Sequence, residues 1–311
     1  MGKRSPALGF AFATLAAVIS GVSVYVNSLG VRAFSDPVLY TALKDGCVGI
    51  VLLVPLLASP VWRAEYRRMD ARTWAWIVAL ALTGGSVPFA LFYSGLQVTT
   101  AATGALINHF QFVLVALCAV AFLRERIRPA MWAGFGVLLV GTLLGSDLHT
   151  LDWNTGAWLV GASSVLFAID FVIAKHLLSG LSTLTVLTAR MTLGTAMLFV
   201  YVIAEGRLAP VTQLTVLQWE YVALTGFTLL LFTTVTFTAI RLASVSAVLA
   251  IGTAAPIITT LIQVVATGDV ILRPIDLAGL AVMLAAVIAI IVIGVRQEAR
   301  AGSLEPVTAS A

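Results

Sequence analysis

Four charged residues lie inside apolar stretches of this chain: Lys44 and Asp45 within "LYTALKDGCVGIVLLVPLL" (39–57), then Asp170 and Arg190. A charge at the centre of a bilayer costs roughly 2.5–3.5 kcal/mol on insertion scales, so such groups face an interior, pair, or serve a transport path. Lys44 and Asp45 offer an ammonium beside a carboxylate. Consecutive helical residues are turned about 100° apart, so the two need not share a face. Lys44 either snorkels to an acid at the membrane edge or lines a cavity. Asp45 suits a counter-ion, a proton carrier or a packing partner. Asp170 is placed to pair with Arg190 from the next stretch.

Uncharged polar residues fall into stripes at helical spacing. Ser20, Ser23 and Asn27 share one face, as do Ser86, Tyr93 and Gln97. Gly104, Asn108 and Gln111 form another stripe with His109 beside it, and Ser163 stands seven residues before Asp170. One polar stripe per helix can enclose a small wet chamber. The competing reading is interhelical hydrogen bonding, worth about 0.6 kcal/mol each on average. The candidates for substrate contact are Ser23, Asn27, Lys44, Asp45, Tyr93, Asn108, His109, Gln111, Asp170 and Arg190.

Catalytic chemistry finds little support. The chain has no H-E-x-x-H, no G-x-x-x-x-G-K-[ST] and no cluster of Cys and His. His149 and His176 are far from His109 in sequence, and Cys47 and Cys118 read as small apolar packing residues. The expectation is a protein that is not an enzyme, holds no metal or cofactor and does not draw on ATP through this chain.

The elements that must position these groups follow from composition. The chain has 311 residues, of which 60% are hydrophobic and 10% charged, far from the roughly 25% charge of soluble domains. The net charge of +4 gives no basic patch for nucleic acid. Ten apolar stretches approach the ~20 residues a helix needs to cross a bilayer: 7–32, 37–59, 73–97, 100–123, 130–146, 155–178, 183–204, 217–240, 244–267 and 275–295. The first reads as a retained span, not a signal peptide. Gly84, Gly85 and Pro88 interrupt the third, and Pro256 the ninth. Gly134, Gly136 and Gly141 suit close helix contact. Thirteen of the eighteen Lys and Arg fall on the side of the N-terminus and three on the other, with Lys44 and Arg190 inside spans. Such a bias predicts cytoplasmic termini in a multi-pass, bacterial-type inner membrane protein.

An internal repeat divides the chain. An offset of 144 sets "GALINHFQFVLVALCAVAFLRERI" (104–127) on "VLAIGTAAPIITTLIQVVATGDVI" (248–271), placing Glu125 on Asp269. An offset of 146 sets 43–58 on 189–204 and Lys44 on Arg190. Five spans per half is an odd number, so the halves are inverted, with a substrate site expected near the midplane between them. The expected fold is all-α and integral to the membrane, with ten helices as two five-helix repeats, 1–150 and 151–296. Residues 297–311 read as a disordered tail. Arg124, Glu125 and Arg126 read as a solvated cluster at the membrane edge.

The segments 99–145 and 243–294, with small residues, a membrane-edge acid and a Gly-rich span, resemble the two EamA domains of the drug/metabolite transporter superfamily. Family members often carry a Pro thirteen residues before the acid. Pro256 precedes Asp269 by that interval, whereas Phe112 takes the place in the first copy. The resemblance implies ten helices, cytoplasmic termini and export of amino acids or other small metabolites, with the aromatic amino-acid exporters as the branch compared. Alternating access is the implied mechanism. The partners are then a small-molecule substrate and the lipid bilayer. A nucleotide-sugar or sugar-phosphate carrier and a channel are the rival readings. Two intramembrane cations are few for a diphosphate.

Overall fold

The computed structural model describes residues 6–146, 151–267 and 273–303. Its helices are α1 (Pro6–Ala33), α2 (Pro37–Ala58), α3 (Pro60–Arg67), α4 (Ala71–Ala81), α5 (Val87–Leu96), α6 (Ala101–His109), α7 (Gln111–Leu123) and α8 (Pro129–Leu144). In the second half they are α9 (Thr155–Leu178), α10 (Thr183–Ala204), α11 (Val216–Leu242), α12 (Val245–Gly252), α13 (Ala255–Thr267) and α14 (Pro274–Ser303). Nine helical stretches among the described residues are long and apolar enough to span a membrane, and the shorter Pro129–Leu144 supplies the fifth span. Asp269 and His149 lie outside the described residues. The last helix runs past Gln297 to Ser303, beyond the point where a disordered tail was expected to begin.

Helix starts follow local rules. Asp36 accepts from the amides of Val38 and Leu39 with Pro37 at the first helical position. Asp70, Thr100, Asn154 and Ser182 each cap their own helix, and Thr215 with Gln218 forms a full capping box. Trp74, Trp76 and Trp132 gather toward the face that bears the chain termini. Trp153, Trp158 and Trp219 gather toward the opposite face, as amphipathic rings do at the two membrane interfaces. Between these belts, side chains such as Phe122 and Val200 are exposed, in keeping with contact with lipid.

Packing interleaves the two repeats. The first span lies chiefly on the eighth, the third on the sixth, the second on the seventh and the fifth on the tenth. Each of these pairs crosses the repeat boundary. Gly141 allows close approach to Met283, whereas a side chain at Gly136 would meet open space, so the close-contact reading does not extend to Gly136.

Three spans are broken near their middles. The third passes through a π-turn at Leu82–Ser86. The fourth divides between α6 and α7 at Phe110, and the ninth between α12 and α13 at 253–254. Phe110 and Ala254 are 144 positions apart, the offset of the repeat. The break in the first copy therefore needs no proline. The Phe110 amide instead bonds both Leu106 and Ile107 carbonyls, at 3.2 and 3.1 Å, a tightened final turn.

Candidate functional site

The sequence-selected polar residues fall into three separate places. The first is a closed ion pair. Arg190 Nε lies 3.1 and 3.2 Å from the two Asp170 oxygens. Its Nη2 donates to Asp170 Oδ2 at 3.0 Å and to Gly84 O at 2.9 Å. The guanidinium also stands 5.6 Å from the Phe237 ring centre. Glycine at 84 is required by this contact, because a methyl there would fall on the Asp170 carboxylate. Gly85 serves the same crossing, since a side chain on Gly194 would sit 2.6 Å from Gly85 Cα. The π-turn thus brings a backbone carbonyl to a buried guanidinium, joining the third, sixth and seventh spans at one point. A buried pair contributes only when its remaining donors and acceptors are met, and here most are.

The second place is an open pair. Lys44 and Asp45 are both buried, at 5% and 3% exposure, so Lys44 does not snorkel. Lys44 Nζ is 3.9 Å from Asp45 Oδ1, too far for a hydrogen bond. Asp45 Oδ1 has no hydrogen-bond partner among the described residues. Lys44 Nζ lies 5.6 Å from the centre of the Tyr40 ring, close enough for a cation–π attraction. The Tyr40 hydroxyl is 2.8 Å from Asn27 Oδ1 and 2.9 Å from Thr225 Oγ1. Thr41 Oγ1 donates to the Tyr93 hydroxyl at 2.9 Å, and Ser23 Oγ is 3.1 Å from Thr228 Oγ1. Asn27, Lys44, Asp45 and Tyr93 therefore share one polar neighbourhood built by the first, second, third and eighth spans. Arg190 is near enough to act on Asp45 electrostatically, which links the open pair to the closed one.

The third place is a recess of about 300 Å³ between the fourth and fifth spans and the ninth and tenth. His109, Thr142, Ser146, Thr260, Arg273 and Asp276 lie along it. Arg273 and Asp276, at the face away from the termini, are paired at 2.9 Å. His109 and Gln111 are half-buried, and Asn108 is exposed. Among the described residues no hydrogen bond or ion pair joins this stripe to Lys44 and Asp45.

Several contributors were not foreseen. Tyr40 was legible, standing four residues before Lys44 and so on its face. Thr225 carries no sequence signal of its own, whereas Gly84 is marked by its interruption of the third span, though not as the partner of Arg190. Ser163 ties the sixth span to Pro88 O at 2.8 Å, which makes it an interhelical bond. Glu125 is not merely solvated. It accepts from Val245 N at 2.8 Å and Ser246 Oγ at 2.6 Å across the repeat boundary.

Comparisons with known proteins agree with this architecture. A family model described as the EamA-like transporter family matches residues 7–146 and again 154–292. One solved crystal structure, whose description names no activity, aligns with a TM-score of 0.72 at 21% identity. The alignment covers 92% of this chain and 98% of the other. At that identity the likeness concerns the fold. No curated protein matches significantly.

Proposed function

This chain belongs to the EamA-like transporter family, and from that premise we propose that it exports amino acids or similar small zwitterions by alternating access. It is a multi-pass membrane transporter; cargo and mechanism are the proposal. The observation that carries the reading is the buried Lys44–Asp45 pair with an unpartnered carboxylate oxygen. A buried acceptor left without a donor costs about 1–3 kcal/mol, more when charged. A cargo ammonium at Asp45 and a cargo carboxylate at Lys44 would meet both needs at once. The Tyr93 hydroxyl, which accepts from Thr41, is the group beside the pair that can position polar cargo, whereas the Tyr40 hydroxyl is taken up by Asn27 and Thr225.

The diphosphate rival is weaker, because Arg190 is already taken up by Asp170 and Gly84 O. The thirteen-to-three distribution of basic residues supports cytoplasmic termini in an inner membrane. Inverted repeats interleaved around a broken-helix core suit rocking of one bundle against the other. In this reading His109, Asn108 and Gln111 belong to the approach from the outer face.

The test is uptake into proteoliposomes of purified protein with a panel of labelled amino acids, with and without a pH gradient. Accumulation of an unmodified amino acid is the expected result. A chemically altered product, or exchange of a nucleoside diphosphate sugar in place of amino acids, would overturn it.

A further inference from the structure

Two glutamates of the first repeat reach across to helix starts in the second. Glu65, on α3, accepts from Ser182 N at 2.6 Å, Ser182 Oγ at 2.7 Å and Thr185 Oγ1 at 2.6 Å. Its neighbour Tyr66 donates to Thr185 O at 2.7 Å. Glu125 binds the first turn of α12 through Val245 N at 2.8 Å and Ser246 Oγ at 2.6 Å. Arg124, with φ of 55°, turns the chain out of α7 and aims this carboxylate. Helix starts carry unbonded amides and a partial positive charge, so an incoming carboxylate binds them well. Both contacts lie on the face that bears the termini.

The repeat supplies an internal control. Offsets of 146 and 144 set Ser182 on Asp36 and Ser244 on Thr100. On the opposite face these equivalent helix starts are capped from within, by Asp36 on Val38 N and Leu39 N and by Thr100 on Thr103 N. The ion pair there between repeats, Arg207 with Asp36, is longer at 3.6 Å and partly exposed, and such pairs are worth little. The recess beside His109 lies toward that same opposite face. The opposite face is also tied between repeats, but by neutral bonds, Thr99 Oγ1 to Asp152 O at 2.9 Å, Asp152 N to Thr103 Oγ1 at 2.8 Å and Gln218 Nε2 to Ala33 O at 2.7 Å. What sets the terminal face apart is carboxylates bound directly to helix starts of the other repeat.

We propose that Glu65 and Glu125 form a two-point latch that holds the cytoplasmic side closed, and that both must leave their helix starts for the transporter to open inward. The latch rests on the alternating-access reading above. It does not depend on what the cargo is. Both residues act through the helices they hold and are gating residues, without contact to cargo. Burial opposes the charged form of Glu65, but the bonds from Thr185 and Ser182 outweigh it and hold the carboxyl below its ordinary value. Glu65 is thus charged at neutral pH.

The experiment places a single cysteine at Thr188, in a chain whose Cys47 and Cys118 are replaced by Ala. Thr188 is 1% exposed and lies 3.4 Å from Leu52 O, between the second and seventh spans. Labelling by a membrane-impermeant maleimide is timed in inverted and in right-side-out vesicles. Glu65→Gln should raise the rate about tenfold from the terminal face alone, the shift that losing one charge-assisted hydrogen bond gives an equilibrium. Glu65→Gln with Glu125→Gln should raise it further, and Glu65→Asp should recover part of the closure. An unchanged rate in both variants overturns the latch. So does an equal rise from both faces, which would mean general loosening. If Glu65→Gln does not fold, Glu125→Gln alone, which leaves the Ser182 cap on Thr185 N intact, should raise the same labelling from the terminal face, and no rise there overturns the latch. The reporter needs no cargo, so a failed amino-acid assay sinks the cargo reading and leaves this test intact.

Discussion

Arg190 and Lys44 occupy corresponding places in the two repeats, yet their surroundings differ in kind. Arg190 meets its acid from another helix, with three contacts between 3.0 and 3.2 Å and a carbonyl besides. Lys44 meets an acid on its own helix, one residue on, at 3.9 Å. The cause is helix geometry. Neighbouring residues point about 100° apart and cannot close on each other, whereas two helices at the right register can bring a fork onto a carboxylate. The lesson is that the closed pair fixes the bundle and the open pair leaves binding capacity in reserve. Function belongs with incomplete satisfaction.

Four measurements would break or sharpen that contrast. The largest effect is expected for Asp170→Asn, which strands a buried guanidinium. Breaking one side of such a pair costs about 3–5 kcal/mol, so thermal unfolding in nanodiscs should begin well below the parent. Asp170→Leu with Arg190→Met should be more stable than either single change. If it is the least stable of the three, the closed pair is more than a mutual neutralisation.

Gly84→Ala comes next. Its methyl meets the Asp170 carboxylate, and overpacking of this kind costs about 1–3 kcal/mol. A melting temperature equal to the parent's would show that the crossing is looser than the contacts imply.

Asp45→Asn separates the two pairs directly. Because Asp45 Oδ1 makes no hydrogen bond among the described residues and meets Lys44 only at 3.9 Å, the loss of stability should be smaller than for Asp170→Asn, while transport per folded molecule falls about tenfold, equivalent to about 1.4 kcal/mol of cargo interaction. Lost stability with preserved transport would move Asp45 into the structural class. The smallest effect is expected for Tyr93→Phe, which removes one side of the Thr41 contact at 2.9 Å. A loss of about 0.5–1.5 kcal/mol in stability is in keeping with one hydrogen bond. A much larger drop in transport than in stability would place Tyr93 against cargo.

Acidity probes the latch in the same spirit. Glu65 is held below the ordinary glutamate value, with Arg241 the charge acting on it. Its contribution is therefore present above about pH 4.3, the ordinary glutamate pKa, and lost as pH falls through the lower folded value. Labelling of the cysteine at 188 from the terminal face, divided at each pH by the rate of a fully exposed thiol because maleimide reacts with the thiolate, should be flat from pH 6 to 8. A rise within that range would point to another titrating group.

Much of this protein was legible locally. Span lengths are a property of contiguous apolar residues, and caps such as Asp36–Pro37 and Thr215–Gln218 act within one turn. The offset that pairs Lys44 with Arg190 also pairs the helix break at Phe110 with that at Ala254, within two positions. Charge bias and periodicity needed no three-dimensional knowledge because each depends on neighbours along the chain.

Only the tertiary structure decided which polar groups are satisfied. Glu65 sits on the short helix α3 among Arg63, Arg67 and Arg68, and nothing local tells that its carboxylate ends on Ser182. Asp45 and Asp170 are both acids inside apolar spans. One is completed by a guanidinium and the other keeps a bare oxygen. The Asp170–Arg190 pair joins neighbouring spans twenty residues apart and could be expected from the sequence, whereas the carbonyl of Gly84 that completes it depends on the register between distant helices, set by packing such as Gly85 against Gly194. Hydrophobic length is additive along a sequence, whereas a hydrogen bond needs two atoms within about 3 Å, and only the assembled bundle determines that distance.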